Sequence, residues 1–322
     1  MQSTAKIFQV VILFILSAIS FTYGMSEEEI LSGADARIEK YRKGYVVLEL
    51  AGANVKNLAE GTVVSVEQVG HEFLFGCNIF KLGRCRSDED NAAYAKYYSE
   101  LFNFATLPFY WWAYSDNSLT NDRRTDEVVK WCIEHDITPK GHPLAWNFRD
   151  PEWLGEDLDQ VMKMQFDRIG RCVRRFEGKI DIWDVVNEAT HYDRQMCVRQ
   201  SPKLTAGITK MGVGAYLRKA FATARGANED ATLIINDYRH DQQYADRVLK
   251  ELIGDDGKPV FDVIGIQSHM HGGYWGAEKT WDVCEKYVEF GVPIHFTETT
   301  IVSGPKTDTG WETTAEGEKR QA

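Results

Sequence analysis

The chain has 322 residues, with 37 Lys and Arg against 48 Asp and Glu, giving a net charge of −11. Hydrophobic residues make up 43% and aromatics 12%, enough for a sizeable core, which excludes a disordered chain. The acidic balance and the lack of a basic run exclude nucleic acid as a partner, and the length fits two ordinary domains or one α/β barrel of roughly 250 residues.

The first segment reads as a leader. Lys6 precedes an apolar run over Val10–Ile19 that only Ser17 interrupts, and Thr22 and Gly24 follow as small residues. The run is shorter than the roughly 18 residues that a membrane span needs, so residues 1–24 are predicted to be a secretory signal peptide. The expected product is secreted, with no stable membrane association once the signal is removed. That destination permits disulfides among Cys77, Cys85, Cys132, Cys172, Cys197 and Cys284, but buried thiols fit equally well and the sequence chooses no pairing. No CxxC pair and no Cys/His cluster has zinc spacing, so neither a metal nor a cofactor is expected.

Glu27–Lys43 reads as a polar helix. Tyr45–Leu50 and Thr62–Val66 read as short strands around the turn-rich Gly52–Gly61, so residues 25–72 are predicted to form a helix and a small β cap. From residue 73 onward strand-like and helix-like runs alternate. The strand candidates are Phe73–Asn78, Phe102–Leu107, Thr138–Leu144, Ile180–Val186, Thr232–Asn236, Val263–Gln267 and Pro293–Thr297. The helix candidates are Asp88–Leu101, Thr125–His135, Leu158–Phe176, Val213–Arg225, Gln242–Ile253 and Thr280–Phe290. Strand and helix at this pace imply parallel pairing with crossover helices. The GxGxxG and GxxxxGK[ST] signatures are missing, which disfavours a doubly wound nucleotide-binding sheet. The predicted fold is an α/β (β/α)8 TIM barrel over residues 73–322.

Polar residues cluster where the strand candidates end: Asn78, His142 with Trp146, Asn187 with Glu188, Asn236 with Asp237 and Tyr238, Gln267 with His269, and Glu298. In such barrels the catalytic face lies at the C-terminal ends of the strands. Glu188 and Glu298 close the fourth and seventh strands, which face each other across the barrel mouth. Two facing carboxylates in a metal-free cleft suggest glycoside hydrolysis, and a separation of roughly 5–5.5 Å would give retention of configuration. Apolar walls and a second carboxylate would raise the pKa of the one acting as acid.

These motifs resemble glycoside hydrolase family 10, the retaining endo-β-1,4-xylanases. The resemblance rests on Phe75-Gly76-Cys77-Asn78, Gly141-His142-Pro143-Leu144-Ala145-Trp146, Trp183-Asp184-Val185-Val186-Asn187-Glu188, Asn236-Asp237-Tyr238, Gly265-Ile266-Gln267-Ser268-His269 and Thr297-Glu298, in that order. It implies Glu298 as nucleophile and Glu188 as general acid and then base. It implies Asn187 on the sugar 2-hydroxyl, His269 on Glu298 with Gln267 beside it, His142 and Trp146 lining the cleavage subsite, and Tyr238 offering a ring to a neighbouring sugar. The implied substrate is a polysaccharide, xylan or a related β-glycan.

The second strand departs from the family pattern. Where Glu-Asn-x-x-Lys grips the sugar in the family, this chain reads Leu107-Pro108-Phe109-Tyr110-Trp111-Trp112, with Phe109 and Trp112 at the expected Asn and Lys positions. Trp112 is therefore expected to stack on the donor-side sugar, with altered substrate preference. Asn147 stands where a His often follows the third-strand Trp, and Thr300 stands where an Asp commonly supports the strand-six histidine. Seven strands are legible, and Thr313–Ala322 reads as the start of a helix, so the barrel is predicted to lack its final β/α unit. The sequence alone thus leaves three readings: a secreted xylanase, a hydrolase of another β-linked glycan, and a carbohydrate-binding protein on a degraded barrel.

Overall fold

The computed structural model describes residues 24–47, 49, 61–113 and 122–322. The segment predicted to be a signal peptide lies almost wholly outside the described residues, as does most of the turn-rich Gly52–Gly61.

Two short helices open the chain, α1 (Glu27–Ser32) and α2 (Ala34–Tyr41). The first has a full capping box, in which the Ser26 hydroxyl accepts from the Glu29 amide while the Glu29 carboxylate accepts from the Ser26 amide. The barrel then runs β1 (Gly76–Asn78), α3 (Asp88–Leu101), β2 (Phe104–Pro108), α4 (Asp122–Glu134), β3 (Thr138–His142), α5 (Leu158–Arg175) and β4 (Ile182–Asn187). Three helices follow, α6 (Gln195–Gln200), α7 (Pro202–Met211) and α8 (Val213–Arg225), before β5 (Thr232–Asp237). A short α9 (Gln242–Tyr244) continues through a π turn (Ala245–Leu249) and a 3₁₀ turn (Lys250–Leu252) to β6 (Val263–His269). The chain closes with α10 (Ala277–Tyr287), β7 (Ile294–Thr300), a small hairpin of β8 (Lys306–Thr307) and β9 (Gly310–Trp311), and α11 (Ala315–Gln321).

The helices begin where their caps dictate. Ser87 accepts from the Asp90 amide ahead of Asp88, Glu89 and Asp90, whose charges favour a helix N-terminus. Asp157 accepts from the amides of Asp159 and Gln160 at the start of α5. That helix buries Val161, Met162, Phe166, Ile169, Cys172 and Val173, spaced so that one stripe meets the sheet.

The sheet order is β1-β2-β3-β4-β5-β6-β7, with every neighbouring pair parallel. This is a nearly closed (β/α) TIM barrel of seven strands, with β1 and β7 as its two edges. Central strands β4, β5 and β6 are almost wholly buried, as parallel strands covered on both faces must be. Edge strand β1 is exposed, and β7 is only half-buried. The main core lies between the sheet and the helices, with Trp183 fully buried in it, and a smaller cluster gathers Trp111, Leu154, Val161 and Leu204. A side chain on Gly141 would meet the Trp183 ring at 2.1 Å, so that glycine lets β3 and the indole share the space.

Two expectations need correction. Thr62–Val66 forms no strand, and Val63 and Val66 are 91% and 72% exposed. Its run of β-branched residues reads as strand, but no sheet edge in the described residues takes up its backbone groups. The Tyr45–Leu50 stretch likewise shows no strand where it is described. Helices α6 and α7 and the β8–β9 hairpin carry too short or too mixed a pattern to have been singled out. The cysteines stand as free thiols, with Cys132, Cys172 and Cys197 buried.

Candidate active site

Two β-bulges shape the mouth of the barrel. Between β4 and β5, Asp184 pairs with Ile234 and then Val186 with Ile235, so Val185 is an extra residue. Between β6 and β7, Ile266 pairs with Phe296 and then Gln267 with Glu298, so Thr297 is extra. Each bulge re-aims the residues after it, and these include Asn187, Glu188 and Glu298. Glu188 itself has φ 56° and ψ 41°, a left-handed conformation that costs a non-glycine residue about 1–2 kcal/mol. The backbone is pinned there: Glu188 N–H donates to Asn236 O at 2.8 Å, and Asn187 N–H to Ala145 O at 3.0 Å.

Asn236 is the hub of the polar layer. Its amide donates to Asn187 Oδ1 at 2.8 Å and to Glu298 Oε1 at 3.0 Å, and its own oxygen accepts from the Thr297 hydroxyl. A Cβ on Gly265 would stand 2.7 Å from Asn236 Oδ1, so that glycine makes the room this side chain occupies. Gln267 donates to Asn187 Oδ1 at 3.1 Å and to Glu188 Oε1 at 3.4 Å. Hydrogen bonds therefore run from one candidate glutamate to the other through Gln267, Asn187 and Asn236.

The two carboxylates have unlike surroundings. His269 Nε2 lies 3.2 Å from Glu298 Oε2, and His142 Nε2 lies 3.8 Å from Glu298 Oε1. Burial works against ionising Glu298, but the His269 hydrogen bond and the charge of His142 outweigh it and hold its pKa below the ordinary glutamate value. Glu188 instead meets a cation: Arg194 pairs with its Oε2 at 2.5 Å and lies over the Tyr238 ring. Tyr238 is held further by a 2.6 Å hydrogen bond with His191.

Beneath them lies a buried charge network. Lys140 Nζ and His142 Nδ1 both lie 2.7 Å from Asp184 Oδ2, and Lys140 and Asp184 have no exposed side-chain surface. Burial alone would raise the Asp184 pKa, but Lys140 and His142 pull it down to about 2. Asp237 goes the other way: burial lifts it to about 6 despite amide donors from Arg239 and Thr190.

A cleft of about 650 Å³ opens over this layer, with Glu188, Glu298, Gln267, His269, Tyr238 and Trp146 in its walls. Asn187 is buried just below. Of the other residues predicted for the site, His142 lines a neighbouring cavity that also takes in Glu298, and Trp112 lines neither. Its ring packs on Tyr110 at 4.8 Å, Trp146 at 5.7 Å and Phe148 at 5.6 Å, forming the back of an aromatic wall. Phe109 points into the core, edge-on to Trp183 at 4.9 Å. The side chain of this stretch that does reach a cavity with Glu298 and His142 is Tyr110. Thr300 supplies the second bond to His269, Oγ1 to Nδ1 at 2.9 Å. Asn147 is a structural tie, donating to Tyr192 O and Thr205 Oγ1.

Sequence reasoning missed Arg194, Tyr110, Lys140 and Asp184 as site residues. Lys140 and Asp184 left a signal, since each is a charge inside a buried strand; Arg194 in its loop left none. Among the described residues no cluster of three or more His, Cys, Asp or Glu could hold a metal ion, and no helix is long and apolar enough to cross a membrane.

The chain is similar to known proteins. Endo-1,4-beta-xylanase A of Xylanibacter ruminicola is 30% identical over 200 residues, covering 58% of this chain and 52% of that protein. The Arabidopsis thaliana endo-1,4-beta-xylanase 5-like protein is 25% identical over 300 residues, covering 87% and 49%. The chain spans about half the length of the curated relatives it matches first. Among solved structures, a P. fluorescens subsp. cellulosa xylanase A mutant in complex with xylopentaose superimposes with a TM-score of 0.61 at 21% identity, covering 78% of this chain and 79% of that one. A Thermobacillus composti GH10 xylanase gives 0.57 at 24% identity, covering 77% and 75%. The family model for glycosyl hydrolase family 10 matches residues 88–322, more than half of the sequence, and the chain belongs to that family.

Proposed function

We propose that this protein is a secreted endo-β-1,4-xylanase that hydrolyses xylan with retention of configuration. The observation that carries the reading is one cleft lined by both carboxylates. Glu298, kept ionised by His269 and His142, suits attack on the anomeric carbon. Glu188, oriented on the other wall by Gln267 and Arg194, is assigned the acid and base role by its place in the family motif.

In the first step Glu298 forms a bond to C1 while the C1–O bond to the leaving sugar breaks. The Glu188 proton goes to the departing oxygen. In the second step Glu188 takes a proton from water, the water oxygen bonds to C1, and the ester to Glu298 breaks. Asn187, fixed by Asn236 and Gln267, donates through its own amide to the sugar 2-hydroxyl, a contact that strengthens in the oxocarbenium-like transition state. Xylan is favoured as substrate by the family and by the names of the relatives. The export signal is assigned to residues 1–24, and the secreted protein is expected to begin near Met25.

Reducing-sugar release from xylan tests the reading. Wild type is expected to release sugar, while Glu298→Ala and Glu188→Ala lose at least about a hundredfold. Xylan binding without release by wild type would replace it with the carbohydrate-binding reading. The aromatic wall of Tyr110, Trp112, Trp146 and Phe148 favours a second reading, hydrolysis of another β-1,4-glycan. Faster release from glucan or mannan than from xylan would select it.

A further inference from the structure

We infer that Tyr110 positions the donor-side sugar, its phenolic hydroxyl donating to a hydroxyl of the pyranose held against Glu298. The inference rests on the glycosidase reading and deepens it by naming a residue that selects the sugar.

The backbone on either side of Tyr110 is pinned. Phe109 N–H donates to His142 O at 2.7 Å, Phe109 O accepts from the buried Arg168 guanidinium, and a 3₁₀ turn begins at Trp111. The ring is pinned as well. It stacks on Trp112 at 4.8 Å and 22°, and stands edge-on to His142 at 5.7 Å and 89° and to Phe80 at 6.1 Å. Held in this way, the side chain lines a cavity of about 920 Å³ that runs down the barrel between β1 and β7 and meets the cleft at His269 and Glu298, with His142 also in its wall.

The hydroxyl is unused. No described residue hydrogen-bonds to it, and the influences on it are burial first and then the charges of Glu298, Asp184 and Glu188. Both raise its pKa, so it remains a neutral O–H donor at any working pH. A fixed ring in the wall of a cavity that reaches Glu298, with a hydroxyl that no described residue engages, leaves a donor for a sugar oxygen. Trp112 acts here at one remove, as the surface on which the Tyr110 ring rests.

The test is Tyr110→Phe, which keeps the ring packing and removes only the hydroxyl. Its thermal midpoint is expected to match wild type, while kcat/KM on xylotriose falls about ten- to a hundredfold. Among monodeoxy xylosides, the one lacking the partner hydroxyl is expected to be cleaved equally by both proteins. Wild-type kinetics in Tyr110→Phe, or an equal loss on every deoxy substrate, would overturn the inference. If wild type cleaves no xylo-oligosaccharide, the glycosidase reading fails by itself. Calorimetry with xylobiose then decides the fate of Tyr110: weaker binding by Tyr110→Phe upholds it, and equal binding refutes it.

Discussion

Arg194 closes an ion pair on Glu188 Oε2 at 2.5 Å, leaving the other oxygen of that carboxylate to Gln267. The candidate proton donor is thus fixed from two sides. Arg194→Gln is expected to leave Glu188 loosely held, which matters most where the leaving group needs a proton. Activity on xylan should fall about tenfold, while an aryl xyloside with an acidic phenol should lose much less. Equal losses on the two substrates would mean that Arg194 does not act through Glu188.

His269 is the leading influence holding the Glu298 pKa below its ordinary value. Glu298 must be ionised to attack, so activity is lost as pH falls through its pKa. His269→Ala removes the hydrogen bond and lets that pKa rise, which moves the acid limb of the kcat/KM profile to higher pH. An unmoved acid limb would detach His269 from the nucleophile.

Asp184 has a pKa of about 2, set against roughly 3.9 for an unfolded aspartate. Its contribution to stability is therefore present above about pH 4 and lost as pH falls toward 2. Asp184→Asn would strand Lys140 with no counter-charge in the barrel interior. A loss of about 3–5 kcal/mol at pH 7 is expected from denaturant unfolding, shrinking as the pH approaches 2. A loss that stays constant down to pH 2 would contradict the assignment.

Gly265→Ala tests how tightly the hub is packed. The added methyl would stand 2.7 Å from Asn236 Oδ1 and 3.1 Å from Ile235 O, and a strand backbone yields little. Destabilisation of about 1–3 kcal/mol is expected, with a drop in kcat larger than the thermal shift explains. Full activity in this variant would show that Asn236 need not hold its present position.

Much of this site is legible in the sequence because parallel strands are apolar almost to their ends. Asn236, Gln267 and Glu298 stand out as polar residues closing such runs, and the caps at Ser87 and Asp157 mark helix starts to the residue. What stays hidden depends on pairing between distant segments. The bulges at Val185 and Thr297 exist only in relation to β5 and β6, so nothing local announces them. The aromatic run after β2 misleads for the same reason. Whether Phe109, Tyr110 or Trp112 reaches the cavity is decided by Trp183, which claims Phe109 for the core. Asn147 shows a further limit, because its partners Tyr192 and Thr205 lie 45 and 58 residues away in the chain.

The proposed reaction turns on the covalent step, and trapping it is the most direct measurement. A 2-deoxy-2-fluoro xylobioside with a good leaving group, followed by peptide mass mapping, is expected to leave one glycosyl unit on the peptide containing Glu298. Proton NMR of early product should then show the β-anomer. Turnover without an adduct, giving the α-anomer first, would contradict Glu298 as a nucleophile and the double displacement with it.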